Sequence, residues 1–490
     1  MKKINRLLGF FEKLGTDTRI LLLAFVLAGV SFSFVLPPFQ APDEQTHWKI
    51  ANHRFDHPFD LKASECREFY AWPDHFEISR IAFHADQKLD VLKFSKVNEV
   101  APTCFARPDI YGNLFTYPGV VLARVVASVV GEVGLWGYYL ARLLSGFLFL
   151  SLLLFFIKVV ARTGRLSGVP VLLAFFLLPI AIQQIWTVSS TPIIWAGGMS
   201  LLLLVFCVDY LSRKERLLLF AVLLVGILTH PPVIALMIPL LIAVWGKQLF
   251  QKYRLYTVVF LFLTCVGVAV ALTDRGTREL TPDGVDSALQ IKRLVEFPIE
   301  TGVIIAQTAL RYLKISFFPR TSLGWLDTPS TRMMAGVWDL ISVLLLLVEV
   351  AMIYSLRRIS VMRTELSRHS LKSPIASLLW VYLGAFGMAS LITVAMFVNH
   401  TKVGEDVVTG LQVRYFFLPV VVVLFSLFQF IAKAIGATAP EGDGRLHVVL
   451  STGAGKYQKL FLSYFPAIAS VLGIFLGGLT ISLLLNRYYH

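Results

Sequence analysis

The chain of 490 residues is 56% hydrophobic and only 16% charged, with a mean hydropathy of +0.70, which excludes a water-soluble globule. Its 45 Lys and Arg against 31 Asp and Glu leave a net charge of +14. The basic residues sit in short loops between apolar blocks rather than in a stripe among exposed aromatics, which sets nucleic acid aside as a partner.

Residues 1–19 carry five positive charges without the short apolar core and small-residue cleavage site of a signal peptide, so this end is expected in the cytoplasm. From there, apolar blocks of about twenty residues, the length that crosses the hydrocarbon core, can be followed with the positive-inside rule. Ile20 to Leu36 leads outward and Leu135 to Ile157 returns to Lys158, Arg162 and Arg165. Val169 to Ile185 pairs with Pro192 to Tyr210, and Leu217 to Thr229 with Val233 to Trp245; Arg213, Lys214 and Arg216 mark one inner turn, and Lys247, Lys252 and Arg254 the next. Leu255 to Leu272, Val337 to Leu356, Ile375 to Val398, Tyr415 to Ile435 and Phe461 to Leu485 complete about eleven spans. Leu114 to Val130 and Pro298 to Phe318, carrying Arg124, Arg311 and Lys314, read as interfacial or re-entrant helices on the outer side. The expected fold is therefore an all-α polytopic membrane protein.

This path divides the chain into a cytoplasmic segment 1–19, a first span 20–36, an outer loop 37–134, spans two to seven in 135–272, a second outer loop 273–336 and spans eight to eleven in 337–490. The polar loops, the Ser-Ser-Thr-Pro turn and the His-Pro-Pro turn then share the outer face. Cys66 and Cys104 fall in the first outer loop, where an oxidising compartment permits a disulfide between them; two free thiols are the alternative. Cys207 and Cys265 lie inside spans and read as small apolar residues. The Gly-rich stretch between Ala437 and Lys459 has no phosphate-loop spacing.

Pro37 and Pro38 end the first span, and Pro42 sets Asp43 and Glu44 in the first turn of a new helix, with His47 one turn after Asp43. A capping role explains an acid at such a position as well as a chemical role does. Arg414, where an outer loop enters a span, is either an interfacial anchor or a phosphate ligand. His230 and His400 stand singly at helix ends and read as caps.

Three segments in order, Pro42-Asp-Glu-x-x-His47, Gly324-Trp-Leu-Asp-Thr-Pro329 and Gly410-Leu-Gln-Val-Arg-Tyr-Phe416, resemble the hallmarks of a bacterial family of polytopic membrane proteins of unassigned function that stands close to the GT-C glycosyltransferases. Val413 stands where that family usually has a second glycine. The resemblance implies a GT-C-like fold and an enzyme that moves a sugar from a polyprenyl-phosphate donor to an envelope glycan, such as lipopolysaccharide O-antigen or wall polysaccharide, on the periplasmic face of the inner membrane. It puts the general base on Asp43, with Glu44 as neighbour or substitute. It places the carrier phosphate on Arg414 with help from Tyr415, and adds Gln412 and His47 to the substrate site. Trp325 and Asp327 are then candidates for the sugar ring, and Arg311, Lys314 and Arg320 for phosphate or lipid headgroups. No cofactor and no metal are expected, since Asp43 and Glu44 are otherwise joined only by scattered acids such as Glu405 and Asp406. Membrane lipids, a donor-supplying synthase and a flippase are the implied partners. A transporter or flippase of lipid-linked sugars, or a ligase or polymerase of lipid-linked glycans, are the competing readings.

Overall fold

The computed structural model describes residues 14, 16–42, 44, 47–48, 51, 67–69, 101–103, 117–130, 135–162, 169–207, 210–237, 284–317, 322–323, 328–329, 336, 368–412, 414–434, 471, 474–475 and 477–489. These residues are mostly helical. Three helices contain apolar stretches long enough to cross a bilayer: α1 (Thr16–Val35), α3 (Leu135–Arg162) and α10 (Arg368–His400). Between and after them lie α2 (Tyr117–Val130), α4 (Val169–Phe176), α5 (Pro179–Ile185), α6 (Thr191–Phe206), α7 (Arg213–Thr229), α8 (Ser287–Glu296), α9 (Pro298–Phe317), α11 (Arg414–Ala434) and a last helix, α12, over residues 477–488. Two small antiparallel pairs, β1 (Arg67–Phe69) with β2 (Ala101–Thr103) and β3 (Ser322–Leu323) with β4 (Thr328–Pro329), depart from the all-α expectation.

Several spans begin or end where expected, and two are built differently. The apolar block 169–185 is not one helix, because Pro179 lacks the N–H that would continue the ladder and its ring clashes with the carbonyl four residues back. Leu178 accordingly takes the extended conformation favoured before proline, φ −62° and ψ 142°, and separates α4 from α5. After α7 the chain enters a 3₁₀ turn, Pro231–Leu236, rather than an α-helical span from Val233, since Pro231 and Pro232 cannot donate to an α-helical ladder. The spans expected at 255–272 and 337–356, on which the count of about eleven depends, lie outside the described residues.

The core is aromatic and threads through several helices. Phe149 of α3 meets Phe176 of α4 edge-on, ring centroids 5.1 Å apart; Phe176 stacks on Trp195 of α6, and Trp195 on Phe417 of α11 at 4.8 Å. Trp186, directly after α5, is fully buried between α1 and α3. Its indole occupies the space where side chains at Gly29 and Gly146 would project, so only glycine fits at either position. Outside this core, Leu23 and Leu27 of α1 remain 60% and 59% exposed; a helix apolar on its outer face as well as its inner one suits lipid rather than water.

At one end of the bundle, Arg162 closes α3 on Glu215 in the first turn of α7. Glu215 also completes a capping box with Ser212. The Arg162 guanidinium, followed by the Ser212 amide and hydroxyl, holds the Glu215 carboxyl down to about 2. The opposite end gathers the C-termini of α1, α7 and α10 and the N-termini of α3, α6 and α11, and there the polar residues collect.

Candidate functional site

The exit from α1 is fixed by one arginine. Arg142, in the second turn of α3, is fully buried, and its guanidinium meets Glu44 twice: Nε donates to Oε1 at 2.8 Å and Nη2 to Oε2 at 2.7 Å. The same guanidinium donates to the carbonyls of Ser33 and Pro37 at 2.8 Å each, and to that of Leu36. These carbonyls belong to the end of α1 and the residues after it, where helix termination leaves acceptors without intrahelical donors. Glu44 in turn accepts the backbone N–H of Val188 at 3.0 Å, which ties the segment after α1 to the segment between α5 and α6.

Phe39, within this exit, has φ +61°, a left-handed conformation that costs a bulky residue free energy and persists only when its surroundings hold it. Its N–H donates to the Tyr138 hydroxyl at 3.1 Å and its ring packs 4.7 Å from that of Tyr138. Trp48 packs edge-on against the same tyrosine at 5.0 Å. Phe39, Glu44 and Trp48 are thus each held by a residue of α3.

Beside these residues lies a cavity of about 90 Å³, room for several water-sized groups. Pro42 and His47 line it from the α1 exit, Ser189, Ser190 and Thr191 from the turn into α6, Thr229 and His230 from the end of α7, and Arg414 and Tyr415 from the start of α11. Arg414 is buried and spans the site: its Nη1 donates to the Pro42 carbonyl at 3.1 Å and its Nη2 to the Tyr415 hydroxyl at 3.3 Å. Nε2 of His47 lies 3.5 Å from Ser190 Oγ. Gln184 Oε1 accepts from Thr191 Oγ1 at 2.9 Å, and Ser189 Oγ donates to Thr191 Oγ1 at 3.0 Å. Burial pulls His230 down to about 4, which keeps its imidazole neutral.

Of the residues expected in a site, the structure therefore brings His47, Arg414 and Tyr415 to one cavity, although 367 positions separate His47 from Arg414 in the chain. Gln412 sits half-buried just before α11, and its Oε1 has no hydrogen-bond partner among the described residues. Glu44 is turned to Arg142 and is not among the residues lining the cavity, and both of its oxygens are occupied by donors. Glu44 is thus engaged in holding the segment after α1 against α3. Arg311 is exposed on α9 and also stands apart from the lining. Asp43, Arg320, Trp325, Asp327, Cys66 and Cys104, and the side chain of Lys314, lie outside the described residues. Among the described residues no group of three or more His, Cys, Asp or Glu side chains converges as a metal site requires.

Arg142 was hidden by the length of the apolar block that contains it. A lone arginine seven residues into a span is itself a signal, because an intramembrane cation needs a partner. Gln184, which as a polar residue within a span suits a transport path equally well, and Thr229 at the end of another span are turned toward one space only by the tertiary arrangement.

Fold and site together define a helical membrane protein with one polar, arginine-bearing cavity at an end of its bundle. The chain belongs to the family described as "Predicted membrane protein (DUF2142)", whose model matches residues 25–424. No curated protein and no solved structure matches the chain.

Proposed function

We propose that this protein is a GT-C-type membrane glycosyltransferase that takes a sugar from a polyprenyl-phosphate carrier and adds it to an envelope glycan on the periplasmic face of the inner membrane. The observation that carries the reading is the hydrogen bond from Arg414 to the carbonyl of Pro42. It sets a buried guanidinium beside Pro42, the residue that precedes Asp43 in the chain, and so joins two distant segments at the cavity.

In the proposed reaction the acceptor hydroxyl oxygen attacks the anomeric carbon while Asp43 takes the hydroxyl proton. The bond from the anomeric carbon to the phosphate oxygen breaks, and its electron pair stays on the phosphate. A neutral hydroxyl is a poor nucleophile, and proton removal by a positioned base contributes typically 10²–10⁴-fold. Arg414 neutralises the charge that develops on the leaving phosphate through parallel N–H groups. Tyr415 adds a hydroxyl beside the guanidinium. Glu44 has a supporting part, as the anchor of the segment that carries Asp43.

The test is the envelope glycan of a deletion strain carrying either the wild-type chain or Asp43→Asn. The reading expects the variant to reach the membrane at the wild-type level, to leave the glycan one sugar short and to accumulate polyprenyl-phosphate sugar. An unchanged glycan overturns it.

A further inference from the structure

The lining of the cavity is of two chemical kinds. Arg414 supplies the one guanidinium among its described lining residues, and Gln184, Ser189, Thr191 and Thr229 supply an amide and hydroxyls. Gln184, Ser189 and Thr191 already hold one another by hydrogen bonds of 2.9–3.4 Å, which fixes the direction of their remaining lone pairs and protons.

Several helix hydroxyls, those of Ser33, Ser151, Ser200 and Thr393, turn onto the carbonyl four residues earlier in their own helix, at 2.8–3.0 Å. The buried hydroxyls of Ser145, Ser426 and Thr229 have no partner among the described residues, and of these three Thr229 alone lines the cavity. The Thr229 hydroxyl, at the end of α7, makes no such bond. It has no partner among the described residues although the side chain is only 8% exposed. A buried hydroxyl without a partner is unfavourable for folding, and such groups gather where a ligand completes them.

We infer that Thr229, with the Gln184–Ser189–Thr191 cluster, forms a subsite for the ring of a neutral sugar whose phosphate is held by Arg414. The inference rests on the donor reading above and adds to it the residues that read the sugar and the charge class of that sugar. Ring hydroxyls both donate and accept, as these side chains do. A uronic acid would set its carboxylate against Gln184, Ser189, Thr191 and Thr229, none of which is a cation, at the desolvation cost of a buried, unpaired charge.

The experiment measures binding to the full chain in lipid nanodiscs, read by the fluorescence of Trp195, which lines the cavity. The probes are farnesyl phosphate and its glucosyl, galactosyl, mannosyl and glucuronyl esters. At least one neutral ester should bind about tenfold more tightly than farnesyl phosphate, the size of one well-made polar contact set, while the glucuronyl ester gains nothing. Thr229→Val should abolish most of that gain without changing farnesyl phosphate affinity and without lowering thermal stability, since the lost hydroxyl has no partner among the described residues, and Thr229→Ser should restore it. A Thr229→Val variant that weakens farnesyl phosphate and the neutral esters alike, or that keeps the gain, overturns the subsite. A glucuronyl ester that matches the best neutral one overturns it too. If farnesyl phosphate binds and no neutral ester binds better, only the subsite fails. If none of the probes binds, the donor reading fails with it.

Discussion

Arg142 and Glu44, 98 positions apart, form a two-pronged ion pair with no exposed side-chain surface on either partner. A pair so deeply buried recovers its desolvation cost only when its other lone pairs and protons are also engaged. Here they are, through the carbonyls of Ser33, Leu36 and Pro37 and the N–H of Val188. Breaking it by Glu44→Gln is expected to cost about 3–5 kcal/mol, the penalty for an uncompensated buried charge. Arg142→Met should cost more, because it also strands the three carbonyls. Thermal unfolding of the purified variants in detergent checks this order, and a Glu44→Gln protein as stable as wild type would remove Glu44 from its structural role.

Trp186 makes a second, independent prediction. Gly29→Ala or Gly146→Ala would push a methyl group into the indole, and such overpacking costs about 1–3 kcal/mol. Trp186→Phe should relieve part of the clash in the same background. The measurement is the melting temperature of the single and double variants, where a rescue smaller than the error of the single values would contradict the wedge.

Protonation of His230 should loosen the fold. Its folded value, about 4, lies below the ordinary 6.5, so the unfolded chain binds its proton first. The stability is present above pH 6.5 and is lost as the pH falls toward 4, by an amount on the order of 3 kcal/mol. His230→Gln should flatten that part of the stability curve, and an identical pH slope in wild type and variant would refute the assignment.

The cap of α7 offers a smaller effect at the other end of the bundle. Ser212→Ala removes the hydroxyl that accepts the Glu215 N–H at 3.3 Å and with it the capping box. A loss of about 1 kcal/mol is expected, the usual value of an N-cap, with no change in any ligand affinity at the far end.

Apolar length makes α1, α3 and α10 legible in the sequence, because a lipid-crossing helix needs nothing but a run of apolar residues with polar ends. Local punctuation was legible in principle as well: Pro179 and the pair Pro231-Pro232 dictate the break and the 3₁₀ turn, although their effect was lost inside long hydrophobic blocks. The site divides along the same line. His47, Arg414 and Tyr415 could be named only through the resemblance of their segments to a family's motifs, since position alone leaves Arg414 equally an interfacial anchor. The role of Glu44 was not legible, since a capping acid and a buried ion-pair acid look alike until the partner is known. That partner, Arg142, is 98 residues away on another helix. Thr229 and Gln184 were illegible for a related reason: a polar residue in an apolar block gives no direction, and only the packing of α5 and α7 decides which side it faces.

The account stands or falls on whether sugar leaves the polyprenyl carrier through this protein. The direct measurement follows a radiolabelled sugar from polyprenyl phosphate into envelope glycan in membranes of the deletion strain. Membranes containing the wild-type chain should transfer the label, and membranes with Asp43→Asn or Arg414→Gln at equal protein level should leave it on the carrier. Equal transfer by the variants, or by membranes that lack the chain altogether, would contradict the assignment.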